Sequence, residues 1–401
     1  MKRILAAGAP TALFAFGLVL LATGLLSRAS AVELAARTIP ILLFVVAMTV
    51  VTELADSAGV FRFVTARLAG RSARSPAVPG TVPGGRIAVL WLLVVGLATL
   101  STVFLSLDTT AVLVTPVVVA LARHARIHPL PFALTTVWLA NTASLLLPVS
   151  NLTNLLAQGQ LAVTPLEFAG LLWAPALVGV MVPLLFLFLA FRKDLRGRYA
   201  SPAAEPVADK PLLVLSGVTV AVLLPALVSG VTVAIPAGIA ALFLLVVFLV
   251  RKRTAIGWHM LPLQPLLLTM GLFLVVQTLH DHGLAAALGR ISGTGDGLLS
   301  LLQLAGLGAL SANGVNNLPA FLALQPVANS PVRLAALLIG VNLGPLVSPW
   351  ASLATLLWHS RLKAMGVSIS WRGFALAGLA LVVVVVPAAV LALWLTAGMP
   401  A

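Results

Sequence analysis

The sequence predicts an all-α integral membrane protein built from two inverted-topology repeats, each with a re-entrant hairpin and a broken helix. Three observations carry this expectation. Of 401 residues, 61% are hydrophobic and 8% charged, and the apolar runs are long enough to cross about 30 Å of hydrocarbon. Lys and Arg sit in short loops between those runs, the arrangement that sets membrane orientation. Two polar, proline-containing interruptions resemble each other: "NTASLLLPVSNLTNLL" from Asn141 and "NLGPLVSPWASLATLL" from Asn342.

Composition also excludes. With no cysteine, disulfides, thiolate metal sites and cysteine nucleophiles are ruled out. The net charge of +14 is dispersed among loops rather than gathered on a soluble face or tail, so nucleic acid is not an expected partner.

The first apolar run, from about Thr11 to Leu26, follows "MKR" and precedes Ala29-Ser30-Ala31, a small-residue pattern like a signal-peptide cleavage site. Its length, and the spans that follow, favour an uncleaved first transmembrane helix over residues 1–35. Later apolar runs centre on 38–54, 87–106, 109–122, 131–148, 170–191, 212–229, 233–250, 262–279, 297–312, 318–328, 331–357 and 373–396. Treating every run as a full crossing scatters positive charge over both sides.

Reading 87–106 and 109–122 as one hairpin open to the cytoplasm, with its tip near Leu107 and Asp108, removes part of the conflict. Reading 297–312 and 318–328 as a second hairpin, opening outward around "ANGVNN", removes the rest. Nine crossings then remain, with the N-terminus cytoplasmic and the C-terminus outside. Of the 24 Lys and Arg, all but Arg28, Arg37, Arg290 and Arg333 fall inside. The stretches "AGRSARSPAVPGTVPGG" (69–85) and 195–210 read as cytoplasmic loops.

At a constant offset of 201, Asn141 pairs with Asn342, Pro148 with Pro349, and Leu152 with Leu353. "VVTELAD" (50–56) matches "VVQTLHD" (275–281), and "LDTTAVLVTP" (107–116) loosely matches "NNLPAFLALQP" (316–326). The first repeat spans 36–194, with its tip near 107 and its break at 148–154. A cytoplasmic linker and central helices cover 195–257. The second repeat spans 258–401, with its tip at 313–317 and its break at 349–355. Inverted repeats with interrupted helices point to a secondary transporter whose site lies near the bilayer midplane. Irregular backbone at that depth is tolerated only where it is buried in protein or lines a wet cavity.

The candidate binding residues follow from that placement. Ser144, Ser150, Asn151, Thr153 and Asn154 in the first break, and Ser348, Ser352 and Thr355 in the second, offer uncharged donors and acceptors; the alternative is that they cap broken backbone and bridge helices. Asn313, Asn316 and Asn317 occupy the second tip, Asp108 and Thr109 the first. A carboxylate inside an apolar hairpin suits proton coupling, or caps the arm that follows it. Glu53, Asp56 and Asp281 read as structural or gating groups near the interface. The "HDH" at His280 to His282 is not expected to hold a metal, because three adjacent residues cannot converge on one ion from a helix. No enzyme activity is expected, since no Ser lies near a His at membrane depth.

"LDTTAVLVTPVVVALA", "ANTASLLLPVSNLTNLL", "GVNNLPAFLAL" and "NLGPLVSPWASLATLLW" resemble signature segments of the ArsB-type arsenite efflux permeases, within the ion transporter superfamily that also holds citrate and dicarboxylate carriers. The resemblance runs from about Pro40 to the C-terminus. It implies an elevator-type fold in the bacterial inner membrane, exporting arsenite or antimonite as neutral hydroxides in exchange for protons. By position it implicates Asp108, Thr109, Ser150, Asn151, Thr153, Asn316, Asn317 and Ser352; Leu107 stands where the pattern usually has Asn. The expected partners are a small inorganic or anionic solute, protons and the lipid bilayer, with a homodimer and a cytoplasmic ATPase subunit as further candidates. No cofactor is expected. The alternative function is a proton- or sodium-coupled citrate or dicarboxylate carrier, or a Na+/H+ antiporter. No Lys or Arg falls in any tip or break, which favours a neutral, polyhydroxylated solute.

Overall fold

A backbone immersed in hydrocarbon has no water to bond, so each spanning segment must satisfy its own peptide groups, which a helix does. The computed structural model describes residues 2–71, 85–199 and 209–398. Most of the two loops read from the sequence, including Arg74, lies outside the described residues. No strand forms among those described; a single antiparallel bridge joins Arg86 and Arg198.

The chain begins with α1 (Lys2–Ala22), α2 (Arg28–Ser57) and α3 (Val60–Arg71). A helical hairpin follows: α4 (Ile87–Phe104), then α5 (Leu107–Thr109), a π turn (Thr110–Val114) and α6 (Thr115–His124). Next come α7 (Leu130–Thr142), α8 (Leu152–Leu161) and α9 (Pro165–Phe191). Between the halves lie α10 (Lys210–Val228) and α11 (Ala234–Arg251). The order then recurs: α12 (Leu263–Asp281), α13 (Leu284–Gly289), a hairpin of α14 (Leu298–Val315) and α15 (Asn317–Leu324), α16 (Pro331–Leu343), α17 (Leu353–Ala364) and α18 (Trp371–Leu393).

Nine described helical segments are long and apolar enough to cross a membrane. They are not the nine crossings of the sequence reading. They include the hairpin arms Ile87–Phe104, Leu107–His124 and Leu298–Val315, and leave out α1, α7 and α16. These segments are selected by length and composition, whereas the sequence reading rests on loop charge.

Packing is reciprocal between the halves. α1 lies along α12 while α11 lies along α2, and the closing helices α9 and α18 pack against each other. The helices preceding α2 and α12 therefore hold matching positions, which the sequence does not reveal. Helix starts follow capping chemistry. Thr164 and Glu167 form a reciprocal capping box at α9. Asp209 caps α10 and receives two hydrogen bonds from Arg251 at the end of α11, 3.1 and 3.0 Å. Those bonds hold the Asp209 carboxyl below its ordinary pKa.

Each closing helix approaches the preceding broken helix through a glycine. A β-carbon on Gly179 of α9 meets the Thr142 carbonyl oxygen at 2.7 Å, and one on Gly378 of α18 meets the Leu346 carbonyl oxygen. Both carbonyls lie where the first half of a broken helix ends, so these glycines set how closely α9 and α18 cover the breaks. Gly179→Ala and Gly378→Ala each force backbone apart and should cost about 1–3 kcal/mol, read as a lower unfolding temperature in detergent. Gly170→Ala, with nothing within 4 Å of the added carbon, should leave it unchanged.

Candidate functional site

The two broken helices form the centre. Nearly every residue of α7 and α16 is buried. Helix stops at Thr142 and at Leu343, several residues before Pro148 and Pro349. The residue before a proline is driven out of helical geometry, and Leu147 is extended, with φ −119° and ψ 150°. Short 3₁₀ turns over Ala143–Leu145 and Pro148–Ser150 fill the first gap. Helix resumes after extended Asn151 and Ser352.

In the first break, several candidate residues are spent on the backbone. Ser144 donates to the Asn141 carbonyl (2.7 Å). The Ser150 hydroxyl donates to the carbonyls of Ser144 and Leu147. Asn154 reaches the same two carbonyls at 2.6 and 3.1 Å. These groups satisfy acceptors that the missing turns leave open.

Asn342 joins the halves. Its side-chain oxygen accepts from Asn151 Nδ2 (3.0 Å) and Thr153 Oγ1 (2.9 Å), and its Nδ2 donates to Asn154 Oδ1 (2.7 Å). All four residues are at most 5% exposed. Sequence pairing set Asn342 opposite Asn141 but did not single it out as a site residue. The two behave differently: Asn141 only returns to the Val137 carbonyl one turn back (2.9 Å).

The second tip is stitched to the second break. Asn313 donates to the Gly344 carbonyl (2.8 Å) and accepts from the amides of Val347 (3.2 Å) and Ser348 (3.0 Å). Ser348 Oγ donates to the Asn313 carbonyl (2.8 Å). Asn316 Nδ2 donates to the Trp350 carbonyl (2.8 Å), and the Asn317 amide to that of Ala351 (2.9 Å).

The first chain reversal falls at Leu105–Ser106, just before the position read from the sequence. Ser106 has φ 145° and ψ 164°, and its counterpart Asn316 has φ 109° and ψ 154°. That region is essentially reserved for glycine, and a side chain held there costs of order 1–3 kcal/mol. Each caps the arm that follows: Ser106 Oγ accepts from the Thr109 amide (3.2 Å), and Asn316 Oδ1 from that of Leu318 (3.3 Å). Capping at the first tip thus belongs to Ser106, and the Asp108 carboxylate has no hydrogen-bond or ion-pair partner among the described residues. Asp108 is exposed, whereas Thr109 is buried with its hydroxyl 3.0 Å from that of Ser106.

α17 packs against α5 and the π turn, bringing the second break to the first tip. At its start, the hydroxyls of Ser352 and Thr355 are buried without a hydrogen-bond partner among the described residues; on the arm leading to the first tip, so are those of Thr99 and Ser101. Each such group costs about 1–3 kcal/mol. The candidate set thus divides into residues that hold the breaks together and residues with unused bonding capacity. Among the described residues no group of three or more His, Asp and Glu could hold a metal ion; His280, Asp281 and His282 each bond elsewhere.

A model of the CitMHS citrate transporter family matches residues 4–331. The chain belongs to the citrate transporter family. It is also similar to the arsenical pump membrane protein of Escherichia coli strain K12, 31% identical over 313 residues that make up 72% of each chain. A putative arsenical pump membrane protein of Bacillus subtilis strain 168 is 24% identical over 403 residues, covering 88% of this chain and 87% of that one. The fold resembles the crystal structure of the Alcanivorax borkumensis YdaH transporter, with a TM-score of 0.57 and 16% identity over 92% of this chain and 88% of that one. This member of the family is a multi-pass membrane transporter.

Two outcomes follow from the geometry. Asn342→Ala leaves Asn151, Thr153 and Asn154 short of partners and should cost about 1–3 kcal/mol, while Asn141→Ala costs less; thermal unfolding of both variants in detergent compares them. Ser106→Gly and Ser106→Ala lose the same cap, but only glycine relieves the backbone, so the glycine variant should be the more stable by about 1–3 kcal/mol.

Proposed function

We propose that this transporter exports arsenite and antimonite as neutral hydroxides in exchange for protons. The observation that carries the reading is that α17, with the unpartnered hydroxyls of Ser352 and Thr355 at its start, packs against α5, which carries Asp108, a carboxylate without a partner among the described residues. A trihydroxide offers three donors and several acceptors in a small volume, and needs no counter-charge. The names of the relatives, arsenical pump membrane proteins, support the same substrate.

In this mechanism Asp108 is the proton carrier. Deprotonated, it accepts from a solute hydroxyl; protonation removes that acceptor, so proton and solute compete for one group. The hairpins are re-entrant, and together with the broken helices they move as one elevator body. Three ties support that unit: Asn342 between the breaks, Asn313 between the second tip and the second break, and Arg123 donating from α6 to the Met365 carbonyl beyond α17. The helices α1, α2 and α10 to α12 form the stationary scaffold. The N-terminus is cytoplasmic in this orientation.

The family model's name favours a second reading, a cation-coupled citrate or dicarboxylate carrier. Against it, a polycarboxylate meets Asp108 and no Lys or Arg in the tips or breaks, so it requires bound cations to offset the repulsion.

Proteoliposomes under an imposed pH gradient separate the two. Arsenite accumulation that collapses with the gradient is expected, and citrate flux without arsenite flux would overturn the first reading. Asp108→Asn should insert and fold yet lose proton-coupled flux; normal coupled flux in that variant removes Asp108 as the carrier.

A further inference from the structure

A cavity of about 640 Å³ lies away from the tips and breaks, in the seam between α2 and α12 on one side and the ends of α8 and α15 on the other. Its size is that of a small-molecule site. The floor is apolar, with Leu34, Ile41, Phe273 and Leu322. Of its polar side chains, Thr38, Gln277, Gln160 and Gln325 are bonded within the protein, which leaves Glu33, Arg37 and one nitrogen of His280. Glu33 and Arg37 sit one turn apart on α2, both exposed, and neither has a hydrogen-bond or ion-pair partner among the described residues.

Across the seam, His280 on α12 meets the Leu322 carbonyl through Nε2 at 2.9 Å. A carbonyl only accepts, so Nε2 carries the hydrogen, and in the neutral ring Nδ1 is a bare acceptor. Nδ1 is buried with no partner among the described residues. The cavity thus presents one planar cation and two acceptors above an apolar floor.

We infer that this seam binds a zwitterion with a phosphate and a primary ammonium, supplied by a phospholipid of the surrounding bilayer. Arg37 takes the phosphate, whose oxygens match the guanidinium fork. The ammonium donates to Glu33 and to His280 Nδ1, and an acyl chain covers the floor. Residues one turn apart on a helix have β-carbons about 5–6 Å from each other, a spacing suited to the two-carbon linker of an ethanolamine headgroup. A trimethylammonium has no N–H and cannot satisfy His280. The apolar floor favours a lipid over the same headgroup free in water.

The test is native mass spectrometry of the delipidated full chain in detergent, titrated with phosphatidylethanolamine, phosphatidylcholine and phosphatidylglycerol of matched chains, and with free glycerophosphoethanolamine. Phosphatidylethanolamine should bind about tenfold more tightly than phosphatidylcholine, the worth of one charge-assisted hydrogen bond. Glu33→Ala combined with His280→Phe should erase that preference while both lipids still bind, and Arg37→Gln should weaken both by about tenfold. Equal binding of the two lipids, a preference that survives in the double variant, or tighter binding of phosphatidylglycerol overturns the ammonium assignment. Free glycerophosphoethanolamine binding as tightly as the lipid overturns the bilayer as its source.

Discussion

One carboxamide, that of Asn342, holds the two interrupted helices in register. Each break abandons several helical hydrogen bonds in a region where water does not replace them. The first break recovers its carbonyls through Ser144, Ser150 and Asn154, but those bonds close it only on itself. Asn342 adds the link across the halves, accepting twice and donating once. An amide suits this because it donates and accepts at the same depth without carrying charge. An ion pair in the same position pays a desolvation penalty that its attraction does not reliably repay.

Much of the architecture was legible because polar residues are conspicuous in an apolar chain. "NTASLLLPVSNLTNLL" and its partner stand out for that reason alone, as do the asparagines around Asn316. Less legible was anything fixed by backbone angle or by packing. The loose match of Leu107 to Asn316 follows the apolar pattern, while the backbone angles pair Ser106 with Asn316. A serine before a leucine carries no signal of a positive φ. α3 escaped notice because Arg62, Arg67 and Arg71 make its stretch read as a loop. The exchange of α1 and α11 between the halves depends on contacts between segments far apart in sequence.

Asn141 and Asn342 show how far a repeat can be trusted. They share a position in the pattern, and both are buried. One bonds within its own helix and the other crosses to the opposite half. Pseudo-symmetry conserves the place of a residue more readily than its partners, since partners come from surroundings that the two halves do not share. The tips behave likewise. The second is bound to its break by Asn313, Asn316 and Asn317, whereas the Asp108 carboxylate at the first has no partner among the described residues.

That asymmetry bears on how a transporter of this shape distributes its polar groups. Hydrogen bonds that hold the breaks together are satisfied in the structure, so a solute gains little by competing for them. Among the described residues the Asp108 carboxylate and the hydroxyls of Thr99, Ser101, Ser352 and Thr355 have no partner, whereas Ser106 and Thr109 at the first tip bond each other. On the proposed reading, a solute arriving there replaces an existing desolvation cost with a bond. The strained backbone of Ser106 lies in the same segment, and strain of that kind persists only where the surroundings over-determine it. On that reading the capacity left open for binding comes from both halves, Asp108 from the first and Ser352 and Thr355 from the second.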